Sequence, residues 1–313
     1  MESEGNFFYA RIKSMPGNKR LQTLSYYCLY SVLYGLSLLP FPLLYGLSDL
    51  VCFLLYRVLG YRKAVVFKNL RNAFPDKTEA EIAELARNFY RYLCDLFLET
   101  FKTLSISRAS MLRHCTMDPE ALALFEDLGR RNQSIIVILG HYGNWEWAGN
   151  TFSMLCPHPL SVIYHPLSSP AFDRLMYHMR TRFGSGLITM NDTFKTMVRQ
   201  RGTLTATAFI ADQTPQPQRA YWMTFLNQDT PVFMGAETIA RKLNYPIVYA
   251  TVKRLRRGYY TIYAERLVEA PAASAEGEIS ELHTRRLERD IIAHPEIWLW
   301  SHKRWKHARP QTT

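Results

Sequence analysis

The stretch Ser134-Ile135-Ile136-Val137-Ile138-Leu139-Gly140 constrains this chain more than any other. It is an apolar, β-branched run about seven residues long, which is the length and composition of a buried strand. His141 follows Gly140 at once. Gly143 and Asn144 supply turn and cap chemistry, and Trp145-Glu146-Trp147-Ala148 can open a helix. Ligands of open α/β sheets bind beyond the carboxyl ends of strands, so His141 is placed for chemistry.

Glu146 stands five positions after His141. On a continuous helix such a pair points in different directions. With a turn between them, the carboxylate can fold back onto the imidazole. A carboxylate on one ring nitrogen fixes the tautomer and supports the cation formed when the other nitrogen takes a proton. That is a general base, worth roughly 100- to 10,000-fold in rate. The competing reading is a structural histidine satisfied at a strand end, the commoner fate of a lone histidine.

The rest of the chain alternates. Residues 119–131 read as an amphipathic helix. Strands are expected at 160–164, 186–190, 204–210, 246–252 and 259–266, with helices between them. The pattern predicts an α/β fold with a mostly parallel central sheet flanked by helices. Thr78-Glu79-Ala80-Glu81 has the spacing of a capping box, followed by a helical stripe from Ile82 to Phe101.

The N-terminal part differs. Residues 1–20 carry Arg11, Lys13, Lys19 and Arg20, and Leu24 to Leu59 is almost wholly apolar, broken by Pro40-Phe41-Pro42 and Ser48-Asp49. The stretch is too long for one straight spanning helix and barely long enough for two. The prolines divide it near the middle. Arg57, Arg62, Lys63, Lys68 and Arg71 follow it. Cations on both sides fit a re-entrant or interfacial hairpin with both ends cytoplasmic. The expected division is a basic, membrane-anchoring segment over 1–75 and an α/β domain over 76–313.

The net charge of +11 suits nucleic acid, anionic membranes or acidic substrates alike. The 19 Tyr, 17 Phe and 6 Trp tilt that choice toward a membrane interface. Five scattered cysteines without a C-x-x-C suggest neither a disulfide framework nor a zinc knuckle, and point to a reducing compartment. No H-E-x-x-H motif supports a metal hydrolase. A non-enzymatic membrane- or RNA-binding protein would explain the charge but not the strand–His–turn–Glu layout.

Gly140-His141-Tyr142-Gly143-Asn144-Trp145-Glu146 resembles the core motif of the bacterial lipid A biosynthesis acyltransferases, the late lauroyl and myristoyl transferases, within the wider His-x4-Asp/Glu acyltransferase group. The likeness continues at Phe74-Pro75, at a helix closing on Glu99, and at a helix entry leading to Glu237, which would cap that helix or line the pocket. It continues at Asp212-Gln213, where the family's second Asp and Gly are replaced by Thr214 and Pro215. Tyr164-His165-Pro166 stands where the family commonly has Tyr-Arg-Pro, and an imidazole cannot replace a bidentate guanidinium. The tail from His294 to Lys306 is close to the family's ending. It reads either as an amphipathic helix at a headgroup interface or as tryptophans packed on the sheet.

The resemblance implies an acyltransferase without metal or cofactor, since a thioester is already activated. The donor would be acyl carrier protein, the acceptor an anionic lipid A precursor, and the place the bacterial inner membrane with the catalytic domain on its cytoplasmic face; no nucleic acid is implied. His141 would take the hydroxyl proton, Glu146 would orient it, and backbone amides at the turn around Gly143 and Asn144, or a nearby cation, would hold the oxyanion. His165, Arg180, Arg182, Asp212 and Gln213 are the further substrate-binding candidates, the two arginines replacing the charge missing at 165. A different membrane glycolipid, aminolipid or lysophospholipid is the alternative acceptor.

Overall fold

The computed structural model describes residues 16–310, with side chains from Leu21 onward. Arg11 and Lys13 lie outside the described residues. Two helices open the described chain, α1 (Pro16–Leu38) and α2 (Phe41–Phe53), and α2 runs on into a π-turn (Leu54–Val58). Pro40 is the N-cap of α2, so the proline pair divides the apolar stretch as its chemistry requires. Phe41–Val58 is long and apolar enough to cross a membrane, with only 17% of that window buried. Leu24, Val32, Leu43, Phe53, Val58 and Leu59 are exposed.

These two helices are pinned to the rest by polar contacts. Ser48 donates to Asp95 at 2.7 Å, and Lys102 donates to the carbonyls of Ser37 and Leu39 at 2.6 and 2.8 Å. The lysine thereby satisfies carbonyls left open at the end of α1. Asp95 also binds Arg254 and Arg257.

Next come α3 (Lys63–Ala73) and the long α4 (Glu79–Lys102), then α5 (Arg108–His114). The capping box of Thr78 and Glu81 forms in both directions. From there strands and helices alternate: β1 (Cys115–Met117), α6 (Pro119–Arg130), β2 (Ile135–Leu139), α7 (Trp145–Leu155), β3 (Leu160–Tyr164), α8 (Pro170–Thr181), β4 (Gly186–Thr189), α9 (Thr193–Arg199) and β5 (Ala206–Ile210). A separate hairpin, β6 (Ala220–Phe225) and β7 (Gln228–Phe233), precedes α10 (Gly235–Leu243), β8 (Ile247–Arg256), β9 (Tyr259–Val268) and α11 (Glu278–Ala293).

The main sheet has seven strands in the order β1-β9-β8-β2-β5-β3-β4. Every pairing is parallel except β8 with β9. The fold is therefore α/β with a mostly parallel central sheet flanked by helices. Strand β2 lies inside the sheet and is buried almost throughout, which its Ile-Ile-Val-Ile-Leu sequence demands. The chain leaves β2, skips one place to β3, and later returns to fill the gap with β5. The crevice beyond the ends of β2 and β5 is the switch point where such sheets bind ligands.

Asp95 is the buried anion on which α2, α4 and the end of β8 with its turn to β9 converge, its side chain only 1% exposed. Asp95→Ala leaves the guanidinium of Arg254 without its carboxylate. Urea unfolding should show a loss of about 3 kcal/mol, whereas a change under a few tenths would mean that the arginines find other partners.

Candidate active site

Register builds this site. Leu139 of β2 pairs with Ile210 of β5, and Ala211 N–H donates to the Leu139 carbonyl. Two residues further along each strand, His141 and Asp212 face one another. The Nδ1 of His141 is 2.6 Å from Asp212 Oδ1. The His141 backbone N–H donates to Asp212 Oδ2 at 2.9 Å, and Trp298 Nε1–H donates to the same oxygen at 2.8 Å. Burial opposes charge on Asp212, but His141 and these hydrogen bonds outweigh it and bring its pKa down to about 2. An ionised Asp212 accepts Nδ1–H, which leaves the lone pair on Nε2. Gln213 Nε2 lies 3.4 Å from that atom, and the Trp145 ring meets the imidazole edge-on at 4.9 Å.

The carboxylate on the imidazole is thus Asp212, where the spacing suggested Glu146. Helix α7 begins at Trp145, so Glu146 projects from its first turn across the crevice to α8. There it receives two hydrogen bonds from Arg180, at 2.9 and 2.5 Å. Burial raises the pKa of Glu146, but Arg180 and then His141 lower it more, so it stays ionised. Its charge reaches His141 through space rather than through a bond.

Gly143 and Asn144 build the turn and do not line the cleft. Gly143 has φ +62°, and a Cβ there would fall 2.0 Å from the Val252 carbonyl oxygen. Its N–H donates to Ile297 O and its carbonyl accepts from Tyr92, so the amide expected for an oxyanion is already engaged. Asn144 is fully buried; it caps α7 through Trp147 N–H and donates to Glu99. Glu99 also accepts from Tyr45 and Tyr260, and burial pushes its pKa up to about 7.

Arg182 also lies elsewhere than the sequence suggested. It donates to the carbonyls of Thr103 and Ile106, just beyond α4, and is absent from the cleft wall. His165 is exposed at the rim, with Nδ1 against the Pro166 carbonyl at 2.9 Å. Arg180 and Gln213 line the cleft. Glu237 accepts from Gly277, Ser280 N–H and the Ser280 hydroxyl, so it caps α11 and does not face the cleft.

The cleft encloses about 400 Å³ and runs from His141 between α7, α8 and α10. Val162, Ile163, Leu167, Met190, Phe209, Phe233 and Ile239 make its walls apolar, and His141, Glu146, Arg180 and Gln213 supply polar groups. Among the described residues, no group of three or more metal-ligating side chains forms.

The tail was half legible. It forms no amphipathic helix, only a short 3-10 turn over Pro295–Ile297 followed by turns. Trp298 and Trp300 are buried edge to face, 4.7 Å apart, because two adjacent indoles gain more from each other and the core than from water. Tyr142 and Trp298 pair as an isolated bridge, which places the tail directly beside the turn that follows His141. Arg304 is 2% exposed; burial lowers its pKa to about 10, while the negative charge of Asp212 opposes that shift. The packed reading of Trp298 is the one the structure takes, and its hydrogen bond to Asp212 is the site contact that the sequence did not suggest.

A family model for bacterial lipid A biosynthesis acyltransferases matches residues 14–307. The chain belongs to that family. It is similar to the lipid A biosynthesis palmitoleoyltransferase of Escherichia coli (strain K12), 22% identical over 276 residues and 87% of each chain. The lauroyltransferase of the same organism is 22% identical over 283 residues, 90% of each chain. The myristoyltransferase is 24% identical over 176 residues, 52% of this chain and 49% of that one. The chain is accordingly an acyltransferase, and the crevice holding His141 is its candidate active site.

The depressed pKa of Asp212 has a consequence for stability. A carboxyl held below its ordinary value near 3.8 stabilises the fold above about pH 4, and that contribution is lost as pH falls toward about 2. The stability difference between wild type and Asp212→Asn, from thermal unfolding, should therefore shrink over that window. A difference independent of pH would show that Asp212 is not ionised as described.

Proposed function

We propose that this acyltransferase moves a fatty acyl group from a thioester on acyl carrier protein to a hydroxyl of a lipid A precursor at the cytoplasmic face of the bacterial inner membrane. One observation carries the reading: a His–Asp pair stands at an apolar cleft of about 400 Å³, within the size range of ordinary ligand pockets. His141 Nε2 takes the hydroxyl proton as the oxygen attacks the thioester carbonyl. Asp212 holds Nδ1–H and stabilises the imidazolium. The carbon–sulfur bond then breaks, and the departing thiolate takes the proton from Nε2. Arg180, held by Glu146, and the Gln213 amide are the cleft's donors for the oxyanion or for an anionic group of the acceptor. Glu146 acts by positioning Arg180 and by its negative charge beside the imidazolium.

Membrane association rests on the exposed apolar residues of α1, α2 and the π-turn. A second acceptor class, another membrane glycolipid, aminolipid or lysophospholipid, is favoured by the cleft wall itself. His165 stands at the rim where relatives commonly have arginine, leaving Arg180 as the only guanidinium lining the cleft among the described residues.

Acyl transfer to each acceptor, measured with purified protein, tests the chemistry. His141→Ala should lose on the order of 100- to 10,000-fold, with Asp212→Asn also strongly reduced. Full activity in His141→Ala would remove the histidine from the mechanism. Mass spectrometry of lipids from a deletion strain identifies the acceptor.

A further inference from the structure

A second depression, about 690 Å³ and open to solvent, shares no lining residue with the catalytic cleft. Its walls come from α2 and the π-turn, from α4, and from the β8–β9 turn. Five arginines line it: Arg57, Arg87, Arg91, Arg254 and Arg257. Three carboxylates line it too, those of Asp49, Asp95 and Glu296. Asp95 is committed to Arg254 and Arg257, and Asp49 to Arg257.

The exposed guanidiniums of Arg57, Arg87 and Arg91 pair with no carboxylate among the described residues. Arg87 and Arg91 are one turn apart on α4, a like-charge arrangement that costs a few tenths of a kcal/mol on a helix unless an anion sits between them. Arg57 enters from the π-turn, a local widening that recurs at functional sites.

The surroundings select among anions. Phe53 lines the same depression and is 57% exposed, and Val58 and Leu59 beside it are 63% and 70% exposed. Guanidiniums bordering exposed apolar side chains match the boundary between acyl chains and phosphates. An acidic soluble protein would meet the same arginines but would leave Val58 and Leu59 in water.

We propose that Arg57, Arg87 and Arg91 form a binding site for the phosphate of an anionic bilayer lipid, separate from the catalytic cleft, which fixes how the protein lies on the membrane. The inference rests on the membrane association proposed above and adds a headgroup site to it.

Vesicle flotation of the full chain tests this, using phosphatidylcholine alone and phosphatidylcholine mixed with phosphatidylglycerol. The combined Arg57→Gln, Arg87→Gln and Arg91→Gln variant is compared with wild type, with Arg57→Gln alone as a milder form. A control removes the same charge from exposed positions elsewhere, as Arg130→Gln, Arg131→Gln and Arg289→Gln together. Wild type should prefer the anionic vesicles, and the triple variant should lose on the order of 100-fold of that preference. The control should keep most of it, and acyl transfer in nonionic detergent should be unchanged in the triple variant. Equal binding of wild type to both vesicles overturns the headgroup site and leaves the membrane reading intact. Wild type that binds neither vesicle overturns both. A control that loses as much as the triple variant reduces the effect to diffuse charge and overturns the site. A raised KM for the carrier-protein thioester, with unchanged vesicle binding, would give the arginine-lined depression to the donor protein instead and overturn the headgroup site.

Discussion

A buried carboxylate shared by three distant donors holds the active site together. Asp212 accepts from the backbone and ring of His141, which ends β2, and from Trp298 in the tail. An anion this buried is tolerable only when its oxygens are fully bonded. The requirement ties strand register, imidazole tautomer and the tail into one unit. Losing the tail's indole removes a donor from the group that defines the imidazole's orientation.

Around this unit, the structure divides labour between two further buried acids. Glu99 is buried, meets three neutral donors, and has its pKa pushed up to about 7. Glu146 is also buried but faces a guanidinium and stays ionised. The first holds structure around the turn after His141, and the second brings charge to the cleft. Neighbouring groups, rather than residue type, decide which carboxylate is available to chemistry.

Strand β2, the cap at Asn144, the capping box at Thr78 and the proline break near residue 40 were all legible because each depends on local chemistry. Short-range patterns of burial and hydrogen bonding fix them wherever the chain goes. The partner of His141 was not legible in that way, because it comes from 71 residues away through parallel register. The chain-nearest acid was the natural choice, yet helix direction carried Glu146 to Arg180. That Asp212 also ended a strand was visible, and it was the better clue. Arg182 shows the same limit: a cation on an amphipathic helix looks like a ligand group until the open carbonyls beyond α4 claim it. The tail stayed open between two readings, since tryptophans and cations in one short stretch have the same composition at a membrane surface as in a core.

Tyr45 of α2 and Asn144 of the turn after His141 hold opposite oxygens of Glu99. A single side chain therefore stands as a mechanical linkage between that exposed apolar helix and the loop that presents the imidazole. Under the membrane association and chemistry proposed above, tilting or lifting α2 would tug on the helix cap behind His141, so immersion depth and the aim of the imidazole become one variable rather than two.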